Sequence, residues 1–239
     1  MFLMVAAQTL TVFAAASLHL AFPALGKQFE AAHPGVTVRF SFNGSQILES
    51  QLAEGAPGDV FASADKRWMD KAVGDGIVTS GAAFASNQLV AVATPASGIL
   101  RPRDLAKPGI KLVVCAQAVP CGAYARQLLQ AMSALPAYGS AFAGRVLGNV
   151  VSDELDVEAV IAKVSLGEAD AGIVYRTDAI GQTNVRVIDL PALTDTPIGY
   201  FIGIARASAA PALALQFADF VRSAQGQKTL DSFGFSPAP

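Results

Sequence analysis

An α/β fold with mostly parallel strands is the class this sequence predicts, and three observations predict it. Strand-like and helix-like stretches alternate from one end to the other. The composition is 52% hydrophobic and 15% charged, which suits a packed core rather than a disordered or fibrous chain. At 239 residues the chain suffices for one large domain or two smaller lobes, and no linker, internal repeat or low-complexity segment interrupts it. A chain without a linker still forms two lobes if it crosses between them twice, with a ligand cleft beside the strand ends.

Leu10 to Ala14 reads as the first strand. Leu18, Phe22, Leu25 and Phe29 then recur at helical spacing, with Pro23 set to kink the helix or delay its start and His33-Pro34-Gly35 closing it. Val36 to Phe42 is a second strand, and Gln46 to Glu54 a short helix stopped by Gly55 with Pro57 beyond. Asp59 to Ala62 is a third strand, after which Asp65 is placed to cap a helix reaching Val73. Gln88 to Ala93 is a strand, Thr94 to Pro102 a loop, Lys111 to Cys115 a buried strand and Gly122 to Met132 a helix. From Asp156 a helix carries Val157, Val160, Ile161 and Val164 on one face until Gly167. Strands follow at Ala171–Tyr175, Val185–Asp189 and Ile198–Ile204, then helices at Pro211–Val221 and Gly226–Phe233.

The charge excludes more than it suggests. Lys and Arg number 17 against 19 Asp and Glu, a formal net charge of -2 with no basic run, so nucleic-acid binding has no electrostatic support. Met1 to Ala7 is apolar but lacks a basic start; it reads as the remnant of a signal peptide or as a start-site choice, and both readings stay open. Gln8, Thr9, Ser17, His19 and Pro23 break the apolar run through Leu25 too often for a span of about 20 apolar residues. Cys115 and Cys121 are the only cysteines. In an exported protein an even, close pair predicts one disulfide, worth about 2–3 kcal/mol for so small a loop; in a cytosolic one they would be free thiols.

Chemistry-bearing motifs are few. Ser17 follows the first strand and Ser45 the second, each where the chain turns toward a helix. A helix N-terminus offers free N–H groups and a partial positive charge, and serine adds a hydroxyl, so two such turns make an anion site without Lys or Arg. The plain alternative is that each serine only caps its helix. Neither fits a nucleophile pattern: Gly-x-Ser-x-Gly is absent, and the two histidines, His19 and His33, lie on or beside the first helix. Cys121, just ahead of a helix, is a candidate low-pKa nucleophile, with a disulfide or an inert loop cysteine as the alternative. Tyr175 at a strand end and Asp156-Val157 at a helix start have ordinary readings as core and cap. Phosphate-loop, His-Glu-x-x-His and zinc spacings are absent.

Taken together, several blocks resemble the molybdate-binding proteins of molybdate ABC importers, in order along nearly the whole chain from Leu10 to Phe235. The most specific are Val12–Leu18, Gly55–Asp65 followed by Trp68-Met69, Val119–Gly122, Asp156-Val157, Gly172–Tyr175 and Tyr200–Ile202. The resemblance implies a two-lobed periplasmic-binding-protein-like fold of type II, with the ligand cleft between lobes and two hinge crossings. Residues 9–83 with 200–239 would form one lobe and 84–199 the other.

It implies molybdate or tungstate bound by Ser17 and Ser45, through hydroxyl and backbone N–H, with the N–H groups of Cys121 and Val157 and the Tyr175 hydroxyl. Cys121 stands where many members carry Ala, which costs little if only the backbone is used; paired with Cys115 it would rigidify the anion loop. Molybdenum would enter only as the oxyanion, with no cofactor and no catalysis. The partner would be a membrane permease, and the protein a monomer in the periplasm or on the outer face of the cell membrane, its anchoring mode open. The rivals are a binder of another tetrahedral oxyanion such as sulfate and, in a different class, a thiol enzyme using Cys121.

Overall fold

The structure is a computed structural model that describes residues 8–191 and 198–238. It contains two five-stranded sheets, one in each of two units. One unit comprises Met1–Ser86 with Gly199–Pro239, the other Asn87–Ile198.

In the first unit, β1 (Gln8–Ala15), α1 (Ala21–Ala32), β2 (Val36–Asn43), α2 (Ser45–Ala53), β3 (Val60–Ser63), α3 (Lys66–Gly74) and β4 (Val78–Asn87) follow one another. β1 is the central parallel strand, with Ala15 opposite Asn43 of β2 and Ala14 opposite Ala62 of β3. Helices cover both of its faces, which is why Leu10 and Val12 through Ala15 form an almost unbroken buried run. α1 buries Phe22, Leu25, Gly26 and Phe29 at helical spacing. Burying each large side chain is worth about 1.5–3 kcal/mol. Pro23 falls in its first turn, where the missing N–H breaks no intrahelical bond. A 3-10 turn over Ala16–Leu18 separates β1 from α1, so the helix starts late, as Pro23 suggests.

The second unit runs through β5 (Leu89–Ala93), β6 (Leu112–Cys115), α4 (Pro120–Ser133), α5 (Phe142–Leu147), β7 (Val150–Glu154), α6 (Val157–Ser165), β8 (Ala171–Tyr175) and β9 (Arg186–Asp189). Its sheet order is β7-β6-β8-β5-β9, with β6 parallel to β7 and β8, and β5 antiparallel to β8 and β9. The chain then returns through β10 (Ile198–Ala205), α7 (Pro211–Arg222) and α8 (Ala224–Ser232) to complete the first sheet in the order β2-β1-β3-β10-β4. β10 lies antiparallel to β3. On α7, Phe217 meets Phe29 edge-to-face at 5.3 Å and Phe22 at 6.3 Å, tying the returning segment into the first core.

Both sheets are therefore mixed rather than mostly parallel, because each parallel trio is extended through an antiparallel neighbour, β10 beside β3 and β5 beside β8. The seams at 86/87 and 198/199 and those read from the sequence at 83/84 and 199/200 lie on the same two strands, β4 and β10. Three elements escape the sequence reading. β4 is Gly/Ala-rich with mostly half-exposed or exposed residues, β7 is an edge strand that ends in Ser-Asp-Glu, and α5 has only six residues.

Candidate functional site

In each unit the candidate residues sit just past the carboxyl ends of the three parallel strands, where open α/β sheets bind ligands. In the first unit, β1 leads to Ser17, β2 to Ser45 and β3 to Ala64. Ser17 lies inside the 3-10 turn, and the cap of that turn is Ala15, with no side-chain cap bond. Ser45 is the first residue of α2, whose cap is Gly44, again without a side-chain cap bond. Both serines are buried. The reading of either as a simple helix cap is thus corrected: their oxygens face tertiary partners instead. Ser17 Oγ lies 2.9 Å from the Tyr200 hydroxyl, and Ser45 Oγ accepts the Ala64 N–H at 3.1 Å.

In the second unit, β6 leads to α4, β7 to α6, and β8 ends on Tyr175. Pro120 opens α4 and has no N–H, so the first N–H of that helix belongs to Cys121. The helix start is held close to the end of β6. A Cβ on Gly122 would collide with the carbonyl oxygens of Ala116 and Cys115, so only glycine allows this approach. Arg126 braces the same turn, donating to the Cys115 carbonyl at 2.8 Å, the Gly122 carbonyl at 3.1 Å and Asp153 at 2.7 Å.

At α6, the Asp156 carboxylate caps the Ala159 N–H at 2.9 Å. Val157 is the first helical residue, where an N–H has no intrahelical acceptor. Tyr175 is buried, and its backbone N–H donates to Asp178 at 2.9 Å. Asn87 steadies the same turn by donating to the Thr177 hydroxyl at 2.9 Å.

The cysteines require a correction. Cys115 and Cys121 are free buried thiols, not a disulfide. Both side chains are turned into the core between α4 and the sheet, and Cys121 Sγ donates to the Ile173 carbonyl at 3.5 Å. Burial pushes the Cys121 thiol well up, and its contact with Cys115 pushes it further. A thiolate nucleophile is disfavoured in that setting. Spacing suggested a pair, but it does not encode the direction in which two side chains point.

Sequence reasoning missed Tyr200 and Ala64 as partners of the serines. Tyr200 belongs to a recognisable block, but its link to Ser17 spans 183 positions and leaves no local signal. Among the described residues, no helix is long and apolar enough to cross a membrane, and no group of three or more His, Cys, Asp or Glu could hold a metal ion.

Residues 10–236 match the profile of the bacterial extracellular solute-binding protein family. The molybdate-binding protein ModA of Mycobacterium tuberculosis (strain ATCC 25618 / H37Rv) is 40% identical over 234 residues, covering 96% of this chain and 85% of that protein. The Azotobacter vinelandii periplasmic molybdate-binding protein matches with a TM-score of 0.81 at 22% identity, over 96% of this chain and 100% of that one. The sulfate-binding protein SubI from Mycobacterium tuberculosis H37Rv matches with 0.82 at 22% identity, over 96% and 87%. At such identities these two likenesses establish the fold alone.

Proposed function

The chain belongs to the bacterial extracellular solute-binding protein family, and we propose that it binds molybdate and tungstate outside the cytoplasm and delivers them to the membrane permease of an ABC importer. Ser17 and Ser45 supply hydroxyl and N–H donors, Cys121 and Val157 supply N–H groups, and Tyr175 supplies its hydroxyl. The observation that carries this reading is that neither serine caps its own turn, although both are buried past parallel strand ends. The name of the mycobacterial relative supports the choice of anion.

A fully deprotonated tetrahedral dianion presents only acceptors, so neutral donors satisfy it without a cation. Sulfate is smaller and reaches fewer donors at once. Phosphate carries a proton at neutral pH, which a donor-only site leaves unpaired. The protein acts by binding rather than by catalysis, and the raised, buried Cys121 thiol speaks against a thiol enzyme.

Thermal unfolding with equal concentrations of molybdate, tungstate, sulfate and phosphate tests the reading. A ligand at about 1,000 times its Kd stabilises by about 4 kcal/mol. Large shifts with molybdate and tungstate alone are expected. A comparable shift with sulfate would move the ligand while keeping the site, and no shift with any anion would overturn the proposal.

A further inference from the structure

The two serine oxygens are already engaged, and the manner differs. Ala64 offers Ser45 a backbone N–H, which can only donate. Ser45 Oγ is therefore an acceptor in that bond, and its own proton is left for another partner. Ser17 faces a second hydroxyl, that of Tyr200, at 2.9 Å in a buried setting where either oxygen could donate. Tyr200 has no room to swing away. Its side chain is fully buried, and its ring meets Phe84 at 6.0 Å and Phe235 at 5.3 Å, both edge-on. A phenol is a better donor than an aliphatic alcohol, and the alcohol the better acceptor.

We infer that Tyr200 is a positioning residue that sets ligand specificity: its hydroxyl donates to Ser17 Oγ and thereby commits the Ser17 proton to the bound oxyanion. The Ser17 oxygen then plays the part that Ser45 Oγ plays toward Ala64. Both serines become donors only, one through a backbone N–H and one through a side chain. The chain from Tyr200 O–H through Ser17 O–H to an anion oxygen runs in a single direction, and each bond polarises the next. Each serine oxygen then already accepts one bond and gives its proton to the ligand, so an oxyanion that keeps a proton is left at most one remaining lone pair on each serine to accept it. This inference rests on the reading of Ser17 as a ligand donor.

Tyr200→Phe keeps the ring and its edge contacts and removes only the hydroxyl. Ser17 can then rotate to accept as well as donate. In titrations of the full chain, Tyr200→Phe should weaken molybdate binding about tenfold, on the scale of one hydrogen bond to a charged group. The preference for molybdate over hydrogen phosphate should fall by a similar factor, a readout that loosened packing alone would not move in that direction. In a double-mutant cycle, Tyr200→Phe in the Ser17→Ala background should change affinity less than about twofold. Equal losses in both backgrounds, or an unchanged preference, would overturn the inference.

Fluorination of the Tyr200 ring gives a second test that leaves the shape of the side chain nearly intact. A fluorinated phenol donates more strongly and accepts more weakly, so molybdate affinity should rise; a fall would mean that Ser17 donates to Tyr200 and would overturn the inference. The site reading is judged separately by the wild-type protein and Ser17→Ala. If the wild type binds molybdate and Ser17→Ala weakens it, the site stands and the cycle judges Tyr200 alone. If Ser17→Ala leaves affinity unchanged, both fall.

Discussion

The two units use one strand pattern to present two kinds of donor. In each, the chain lays down the middle strand of a parallel trio first, then one flank, then the other: β2-β1-β3 in the first unit and β7-β6-β8 in the second. Past the strand ends, the first unit offers serine hydroxyls braced by Tyr200 and Ala64. The second offers the starts of α4 and α6, where Cys121 turns its thiol into the core and Val157 has no polar side chain. Tyr175, at the end of β8, brings the hydroxyl that the proposed site uses there. In the proposed site the first unit thus adds serine hydroxyls to its backbone donors, whereas the second relies mostly on backbone N–H groups. Truncating a side chain should therefore weaken the first unit more than the second, where Tyr175 is the exception.

The largest break in that comparison should come from Ser17→Ala combined with Ser45→Ala. Each lost hydrogen bond to a charged ligand is worth about 1.5–3 kcal/mol, so molybdate affinity should fall by at least about a hundredfold. Calorimetric titration measures it, and wild-type affinity in the double variant would sink the assignment.

Val157 sharpens the contrast. It is the first residue of α6, a position that tolerates proline, and Asp156 before it is extended at φ -157° and ψ 173°, as a residue preceding proline prefers. Val157→Pro removes one N–H while keeping the helix, and affinity should drop about tenfold or more. Val157→Ala keeps the N–H and should stay within about threefold, since hydrogen bonding is untouched. Equal losses in the two variants would mean that packing, not the backbone donor, matters at this position.

Much of this arrangement was legible because it is local. The apolar run of β1, the helical spacing of Phe22, Leu25 and Phe29, and the Asp65 and Asp156 caps are each written within one turn or one strand. Ser17 and Ser45 could be picked out because they stand where strand patterning stops. What the sequence hid is tertiary: the partners that hold their oxygens, the engagement of the Ser45 hydroxyl by Ala64 instead of by its own helix, and the inward turn of Cys121. β4 and β7 were hidden for a different reason. A Gly/Ala-rich strand and an exposed edge strand have too few buried side chains to show a period.

Smaller effects probe the second unit further. Tyr175→Phe removes the one side-chain donor proposed for that unit and should cost about tenfold or less in affinity, below the double serine variant. Cys121→Ala should leave affinity within about threefold, because the proposed role uses only its N–H. A loss as large as that of Val157→Pro would show that the thiol itself matters.

The smallest effect separates the units by their carboxylates. In the second unit, a hydrogen bond from Lys107 and backbone bonds from Leu100 and Arg101 lower Asp104 from 3.8 to about 2. A carboxylate with a depressed folded value stabilises the fold above its unfolded value and loses that contribution as pH falls. The window here runs from about pH 4 down to about pH 2. In the first unit, burial raises Asp65 despite its bonds to Trp68 and Arg67, so its contribution runs the other way and weakens as pH rises. Thermal midpoints taken from acid to neutral pH should therefore show Asp104→Asn flattening the acid fall and Asp65→Asn relieving the neutral side. The Lys107 side chain is 59% exposed, so the Asp104 effect should shrink further in high salt. An acid fall in Asp104→Asn as steep as in the wild type would remove Asp104 from the account.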